Sequence, residues 1–270
     1  IKHLVETKLW DENATFFKTI SNKTDSLVNV RELQGYTPWY MNLPSDSAGF
    51  ERAWTFMLRN DGFRAPYGPT TAEQSHPGFQ LRADGACMWD GRVWPFSTAI
   101  TLTAMANLLN NYDQHVITPA NYFDEFVKYS RSQRLTDDNG AIRPWIDESQ
   151  NPYTGDWMTR TRLKQQALTN SNIINERGKD YNHSTYCDLL ISGLIGVRPQ
   201  SDNTVVINPL VPRGTWDWFC LDHIPYKGHC LTVLYDRYGT KYNLGKGMLV
   251  LVDNELRSQT QALSKVTVKL

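Results

Sequence analysis

The periodicity of the apolar residues changes once along this chain of 270 residues, near Arg198-Pro199. Before that point, the apolar positions of several segments recur every three to four residues, as on one face of a helix. After it, short runs rich in β-branched residues are separated by turn sequences, which is typical of an antiparallel sheet. The sequence therefore predicts a mainly α domain over residues 1–198, followed by a small antiparallel β module over residues 199–270. The expected strands are 205–207, 231–235, 248–252 and 266–268.

Four segments of the first part are predicted as helices. The first begins at Ser45 or Asp46, which are favourable N-cap residues, and the second follows Pro95. The third begins with Thr118-Pro119, an N-cap followed by proline at the first helical position. The fourth begins near Ser184 and carries an apolar stripe.

Composition excludes several classes of function. The 28 basic residues balance the 28 acidic ones, so we expect no basic surface for nucleic acid. No apolar run approaches the roughly 20 residues that a membrane span requires. The four cysteines have no zinc-ligand spacing, and no metal or other cofactor is expected. Cys220 and Cys230 are either paired across neighbouring strands or both free. The sequence therefore does not decide between an oxidising and a reducing compartment.

Tryptophan is abundant, and its position is more informative than its number. Large rings often fill cores, but loops are where binding residues concentrate. Two long polar segments, 60–94 and 135–182, are too aromatic to be read as disordered, and long loops are often functional. Five tryptophans lie in polar stretches that contain Gly or Pro: Trp39, Trp89, Trp94, Trp145 and Trp157.

The segment 145–155 sets two carboxylates, Asp147 and Glu148, between Trp145 and an Asn-Pro-x-x-Gly turn. An indole face can stack on a pyranose, and a nearby carboxylate can activate a water molecule. A solvated loop is the simpler interpretation of the same residues. Consecutive side chains of an extended segment point to opposite sides, so only one of the two carboxylates is expected to face a pocket.

A second segment, Cys87 to Phe96, runs directly into the second predicted helix. Here Asp90 can hydrogen-bond sugar hydroxyls while Trp89 or Trp94 stacks on the ring. The alternative is that Trp94-Pro95 only fixes the start of the helix.

Together, in this order, the two segments resemble loops of the (α/α)6-barrel glycosidases, which include trehalases, glycoside hydrolase family 63 and mannosylglycerate-hydrolase-like enzymes. In those families a Trp-Asp-Gly-x-x-Trp-Pro loop opens a barrel helix and lines the sugar pocket. A Glu-x-x-Asn-Pro-x-Thr-Gly loop, here residues 148–155, carries the general base. The stretches 67–73, 76–77 and 177–184 are similar to those of bacterial members.

The resemblance implies a six-hairpin (α/α)6 toroid and an inverting glycosidase that cleaves an O-glycosidic bond of an oligosaccharide or glycoside. It implies Glu148 as general base, leaving Asp147 to brace the loop or the neighbouring Arg143. It also favours a periplasmic or extracellular location in a bacterium. The implied substrate-binding residues are Trp89, Asp90, Gly91, Trp94, Trp145, Tyr181 and His183.

The general acid of such enzymes lies well before the Trp-Asp-Gly motif, and only about ninety residues precede that motif here. The twelve helices of a full toroid are also not recognisable. We therefore expect an incomplete toroid, completed by an upstream segment or a partner chain that carries the acid.

Two other functions are consistent with the same residues. One is a sugar epimerase or lyase, with His76 and His183 as bases. The other is a non-catalytic carbohydrate-binding or scaffold protein. His183 is nearly as readily interpreted as a structural residue that hydrogen-bonds between loops. For Glu73 and His76 two interpretations stay open: their loop reaches the pocket, or it lies away from it. Glu125 and Asp188 are interpreted as surface charges or caps.

Overall fold

The computed structural model describes residues 1–46, 48–82, 87–137, 139–174, 178–180 and 185–270. They form two compact units, residues 1–184 and residues 185–270. About 29% of the chain is helical and 22% is in strands. This composition confirms in part the predicted mainly α domain followed by an antiparallel β module: most helical residues lie in the first unit, and most strand residues lie in the second. The six-hairpin toroid stays a prediction.

Two long helices of the first unit confirm the second and third predicted helices. Helix α3 spans Pro95–Asn111 and is buried along most of its length. Helix α4 spans Pro119–Ser132 and packs against α3. It begins with a capping box, in which the Thr118 Oγ1 accepts from the Asn121 N–H (3.3 Å) and the Asn121 Oδ1 accepts from the Thr118 N–H (2.9 Å).

The other helical segments differ from expectation. The first predicted helix is a 3₁₀ segment at Phe50–Met57, which follows Gly49 in the left-handed conformation. Helix α5, Met158–Ala167, lies inside the stretch predicted as a loop, because its polar sequence carries no continuous apolar stripe. Shorter segments of this unit are α1 (Lys2–Leu4), a π segment (Val5–Leu9), a 3₁₀ segment (Leu33–Tyr36) and α2 (Thr37–Tyr40).

The described strands of the first unit form two short antiparallel hairpins. Strand β1 (Trp10–Asp11) pairs with β2 (Phe16–Phe17), and β3 (Arg134–Thr136) pairs with β4 (Ile142–Pro144). Runs of two or three residues are too short for an alternating pattern, so the sequence did not predict them.

An aromatic cluster forms much of the core of the first unit. The rings of Tyr36 and Trp54 lie 4.2 Å apart, and Phe16 stacks on Phe63 at 5.6 Å. Trp39 is 1% exposed and contacts Trp54, with ring centroids 5.6 Å apart. Trp39 is therefore a core residue and not a binding residue of a loop.

The second unit contains the β module and confirms its antiparallel character. Its helical start is α6 (Tyr186–Asp188) and a π segment (Leu189–Leu194), where the fourth helix was predicted. One sheet has the order β10-β9-β8-β7 and the other β11-β6-β5. The strands are β5 (Val197–Pro199), β6 (Thr204–Ile207), β7 (Trp218–Tyr226), β8 (His229–Asp236), β9 (Gly247–Val252), β10 (Glu255–Thr260) and β11 (Val266–Lys269).

Strands β7 and β10 were not predicted. Strand β10 is mostly polar and exposed, whereas β7 is mostly apolar but contains a proline and no alternation of buried and exposed residues along its whole length. Cys220 and Cys230 are both free thiols, so the alternative of a disulfide between them is wrong.

Candidate functional site

The two segments that carry the predicted site residues are joined by backbone hydrogen bonds. The Val93 N–H donates to the Gln150 carbonyl (3.0 Å), and the Gln150 N–H donates to the Val93 carbonyl (2.9 Å). Next to this bridge, the Met158 N–H at the start of α5 donates to the Ser149 carbonyl (2.9 Å). The loop before α3 and the loop before α5 therefore form one local structure.

A cleft of about 460 Å³ opens beside this structure. We call it the Trp89 cleft. Its lining residues are Val30, Glu32, Ala72, His76, Gly78, Cys87, Met88, Trp89 and Asp90. Glu148 is not a lining residue, but it contacts one: the Cys87 thiol donates to the Glu148 Oε1 across 3.7 Å. Thus Trp89, Asp90 and Glu148 belong to one neighbourhood although they come from different loops.

The two tryptophans of the first loop have different environments. Their rings are stacked, with centroids 4.4 Å apart and an interplanar angle of 17°. Trp94 is 2% exposed and donates from its Nε1 to the Met88 carbonyl (2.8 Å), whereas Trp89 is 36% exposed. Trp94 is therefore the support, and Trp89 is the ring available for stacking on a ligand.

One oxygen of the Asp90 carboxylate has no hydrogen-bond partner among the described residues. Its backbone carbonyl accepts from the Gln80 N–H (2.9 Å), which fixes the loop. Its Oδ1 atom is buried and accepts no hydrogen bond from a described residue. A buried acceptor without a donor is costly, so a hydroxyl group brought to this carboxylate would be favoured.

Gly91 and Arg92 hold the loop from inside. A Cβ atom on Gly91 would lie 2.4 Å from the Gln80 carbonyl oxygen, so only glycine allows this approach. Arg92 is fully buried; it donates from Nη1 to the Ser149 Oγ (3.3 Å) and from Nη2 to the Arg82 carbonyl. Sequence reasoning missed Arg92. A cation in an otherwise aromatic loop was the only signal that could have indicated it.

The adjacent carboxylates of the second loop have separate environments, as the extended geometry predicted. Asp147 is 1% exposed and accepts from the Glu148 N–H (2.8 Å) and the Trp145 Nε1–H (3.4 Å). Burial raises the pKa of Asp147, against the lowering effect of these hydrogen bonds. Glu148 is half-buried, and Cys87 is the hydrogen-bond partner of its carboxylate among the described residues.

Asp147 thus braces the loop and does not bind Arg143, which pairs with Asp137 (3.2 Å). A Cβ atom on Gly178 would lie 2.0 Å from the Asp147 Oδ1, so the chain passes directly over this carboxylate. The neighbouring Trp145 is 7% exposed, and the cations of Arg160 and Lys179 lie 4.6 and 5.4 Å from its ring centroid.

The turn after Glu148 is fixed by its own side chains. The Asn151 Oδ1 accepts from the Tyr153 N–H (2.9 Å) and the Thr154 N–H (3.3 Å). Gly155 has a φ of +76°, and a Cβ atom there would lie 2.3 Å from the Tyr67 ring. The Tyr67 N–H donates to the Pro152 carbonyl (3.1 Å), so the turn packs on the segment around residue 67.

The remaining candidates separate into two groups. Glu73 is buried in an ion pair with Arg31 (2.6 Å) and does not line the Trp89 cleft. His76 does line it, and its Nδ1 accepts from the Gly78 N–H (3.0 Å), so the neutral ring carries its proton on Nε2. The predicted substrate-binding residues Tyr181 and His183 lie outside the described residues.

Of the two acids interpreted as surface charges or caps, Asp188 is exposed as expected, but Glu125 is 5% exposed. Its surface interpretation is wrong, because the face of α4 that carries it packs into the unit.

Among the residues that the structure describes, no group of three or more His, Cys, Asp or Glu side chains is arranged to hold a metal ion. None of the described helices is long and apolar enough to cross a membrane.

Comparison with known proteins gives two family matches. Residues 1–184 match the mannosylglycerate hydrolase MGH1-like glycoside hydrolase domain. Residues 197–256 match the C-terminal domain of glycosyl hydrolase family 65. No curated protein matches the chain.

Among solved structures, one named "Sialidase" is 44% identical, with a TM-score of 0.87 over 99% of this chain. The present chain spans only 23% of the length of that protein. A family 63 mannosylglycerate hydrolase from Thermus thermophilus in complex with glucose is 17% identical, with a TM-score of 0.43 over 57% of this chain and 34% of that chain. An uncharacterized conserved protein from the same organism is also 17% identical, with a TM-score of 0.40 over 55% of this chain and 32% of that chain.

Proposed function

The chain belongs to the family of mannosylglycerate hydrolase MGH1-like glycoside hydrolases, and from that membership we propose that it forms the base-bearing part of an inverting glycosidase, with Glu148 as the general base. The membership confirms the resemblance inferred from the two loop motifs. One observation carries the proposal: the half-buried Glu148 carboxylate adjoins Cys87, which lines the same cleft as Trp89 and Asp90.

In the proposed reaction, Glu148 takes a proton from a water molecule whose oxygen attacks the anomeric carbon. The bond from that carbon to the glycosidic oxygen breaks, and a second carboxylic acid protonates the leaving oxygen. The two carboxyl groups of an inverting enzyme stand roughly 6.5–9.5 Å apart, which leaves room for the water. We assign the acid to a segment upstream of this chain, in a toroid that the upstream segment completes.

An apolar cleft in the first unit supports that assignment. It has a volume of about 300 Å³ and includes Val5, Leu9, Ile20, Pro38 and Met41 among its lining residues. Met41 is 59% exposed. Helices of an upstream segment would cover such a surface and stabilise it by burial of apolar area. A partner chain is the alternative occupant.

The sugar is proposed to stack on Trp89 and to donate a hydroxyl hydrogen to Asp90. Gly91 and Trp94 act through the loop that they support, and Trp145 acts by holding Asp147, since its ring is buried beneath two cations. Tyr181 and His183 remain proposed contacts. The name "Sialidase" belongs to a protein about four times the length of this chain, so the activity in that name is not assigned to this part.

The decisive experiment replaces Glu148 with glutamine in the full-length protein. A general base contributes on the order of 10²–10⁴ in rate, so kcat should fall by at least a hundredfold. Glycan affinity should stay within about twofold, because the amide keeps the size of the side chain but cannot take the proton. Glu51→Gln, in the Phe50–Met57 segment, is the matched loss of a carboxylate and should leave kcat unchanged.

A Glu148→Gln enzyme with near-normal kcat would remove Glu148 from the mechanism. The anomeric configuration of the first product, followed by NMR, tests inversion. Incorporation of one water per bond cleaved separates a hydrolase from an epimerase or lyase. If the full-length wild type binds glycan but turns over none, the scaffold alternative is correct.

A further inference from the structure

A second cleft of the first unit, with a volume of about 270 Å³, is unusually basic. It is formed by the end of α4, strand β3, the turn before α5 and the first two turns of α5. We call it the basic cleft. Four cationic side chains, Arg131, Arg134, Arg160 and Lys164, line it together with a single acidic one, Asp156.

Local structure explains why these cations converge. Arg131 occupies the last turn of α4, and Arg134 opens β3 three residues later. Arg160 and Lys164 are four residues apart on α5, so they lie on the same helix face. The Trp157 Nε1 donates to the Arg134 carbonyl (2.9 Å), which fixes α5 against β3.

Two of the four cations of the basic cleft are exposed. Arg131 and Arg134 are exposed and form no ion pair with a described residue. Asp156 is the one acid that lines the cleft, and its carboxylate accepts from the Thr154 Oγ1 (2.7 Å). Cations gathered in a cleft raise the local concentration of anions, and an anion that enters relieves their mutual repulsion.

The shape and chemistry of the lining select among anions. A planar guanidinium group can donate two parallel hydrogen bonds to two oxygens of a carboxylate or of a sulfate. Thr136 and Thr161 supply hydroxyl groups of the kind that bind sugar hydroxyls, and Tyr67 and Trp157 form an aromatic wall. The volume suits a group the size of one monosaccharide and not an extended polyanion.

The basic cleft also shares its wall with the loop of Glu148. Gln150, two residues after Glu148, lines the cleft, and its Nε2 donates to the Ser132 carbonyl (2.9 Å) and the Gly155 carbonyl (3.3 Å). We propose that the basic cleft is a subsite for an acidic sugar, whose carboxylate or sulfate is bound by Arg131 and Arg134. The inference deepens the proposed function, on which it rests, by naming acidic glycans as the substrate class.

The test measures binding of glucuronic acid, glucose and inorganic sulfate to the 270-residue chain by calorimetry and chemical-shift perturbation. We expect glucuronic acid to bind, to shift amides of β3 and α5, and to lose affinity as salt is added. Glucose should bind at least tenfold more weakly at these amides. The Arg131→Gln/Arg134→Gln double variant should bind glucuronic acid at least tenfold more weakly than the wild type.

Arg52→Gln/Arg59→Gln removes the same charge from the Phe50–Met57 region and should leave glucuronic acid affinity unchanged. Lys164→Glu is a second variant of the cleft should the double variant fold poorly, as judged by circular dichroism. Equal affinity of wild type and cleft variants for glucuronic acid overturns the proposal.

Two further results also overturn it. If glucose binds as tightly as glucuronic acid, the charge of the cleft plays no role in binding. If inorganic sulfate binds as tightly as glucuronic acid, the cleft is an anion site that does not recognise a sugar. The Glu148→Gln chain should bind glucuronic acid as the wild type does. Failure of the proposed catalytic role is therefore distinguishable from failure of the basic cleft.

Discussion

The thiol of Cys87 lies 3.7 Å from the Glu148 Oε1, so the loop that carries Trp89 and the loop that carries the proposed base meet side chain to side chain. Cys87 is exposed and lines the Trp89 cleft. A group attached to this sulfur would occupy the space in front of the carboxylate, where the attacking water is proposed to sit.

Alkylation of Cys87 should therefore abolish turnover. With N-ethylmaleimide, the full-length wild type should lose activity in step with modification of Cys87, followed by mass spectrometry, and a bound glycan should slow the loss. Cys87→Ala keeps the other three thiols of this chain and should keep most of its activity in the presence of the reagent. Full turnover by an enzyme alkylated at Cys87 would contradict the proposed position of the water.

The stacked tryptophans should respond differently to truncation. Trp94→Ala empties a buried site and should lower the free energy of unfolding by about 3–5 kcal/mol. Trp89→Ala should change stability far less, since one face is open, but should weaken glycan binding at least tenfold. Urea unfolding and calorimetric titration measure the two effects. Equal glycan affinity of wild type and Trp89→Ala would remove Trp89 as the stacking platform.

Local signals were sufficient for part of this structure. Helices α3 and α4 could be predicted because proline and the Thr118 cap fix their starts and apolar periodicity marks their inner faces. Helix α5 could not, because its buried residues form no continuous apolar stripe and its start is fixed by a hydrogen bond from Met158 to Ser149, earlier in the same loop.

The sequence predicted which loops form the site, but it did not predict the role of each side chain within those loops. The two motifs indicated which segments meet, whereas the roles within them depend on neighbours far along the chain. Trp145 is covered by the cations of Arg160 and Lys179, and Arg92 is held by Ser149 and Arg82. No pattern within either loop encodes such contacts.

Gly91→Ala should disrupt the Trp89 loop. The new Cβ would lie 2.4 Å from the Gln80 carbonyl oxygen, so the backbone must shift, which typically costs about 1–3 kcal/mol. Glycan affinity should fall as well, because Asp90 and Trp89 move with the loop. Gly140→Ala is the comparison: a Cβ there meets no atom within 4 Å, and only its φ of +81° is strained. If Gly91→Ala binds glycan as the wild type does, the loop is not held in the way described.

The Glu125 carboxylate is buried on α4 beside the Lys128 Nζ (2.6 Å). Burial raises the pKa of Glu125 above its ordinary value of 4.5, although the Lys128 cation opposes the shift. The folded state then holds this proton more tightly than the unfolded state does. The stabilising contribution is complete below the unfolded pKa and is lost as pH rises through the folded pKa.

Glu125→Gln cannot titrate, so its stability relative to the wild type should increase from pH 4 to pH 7. Lys128→Met removes the nearby cation and should make the loss of stability with rising pH steeper than in the wild type. Urea unfolding of the three proteins at a series of pH values measures both effects. A stability difference between wild type and Glu125→Gln that stays constant over this range, or falls as pH rises, would contradict the raised pKa.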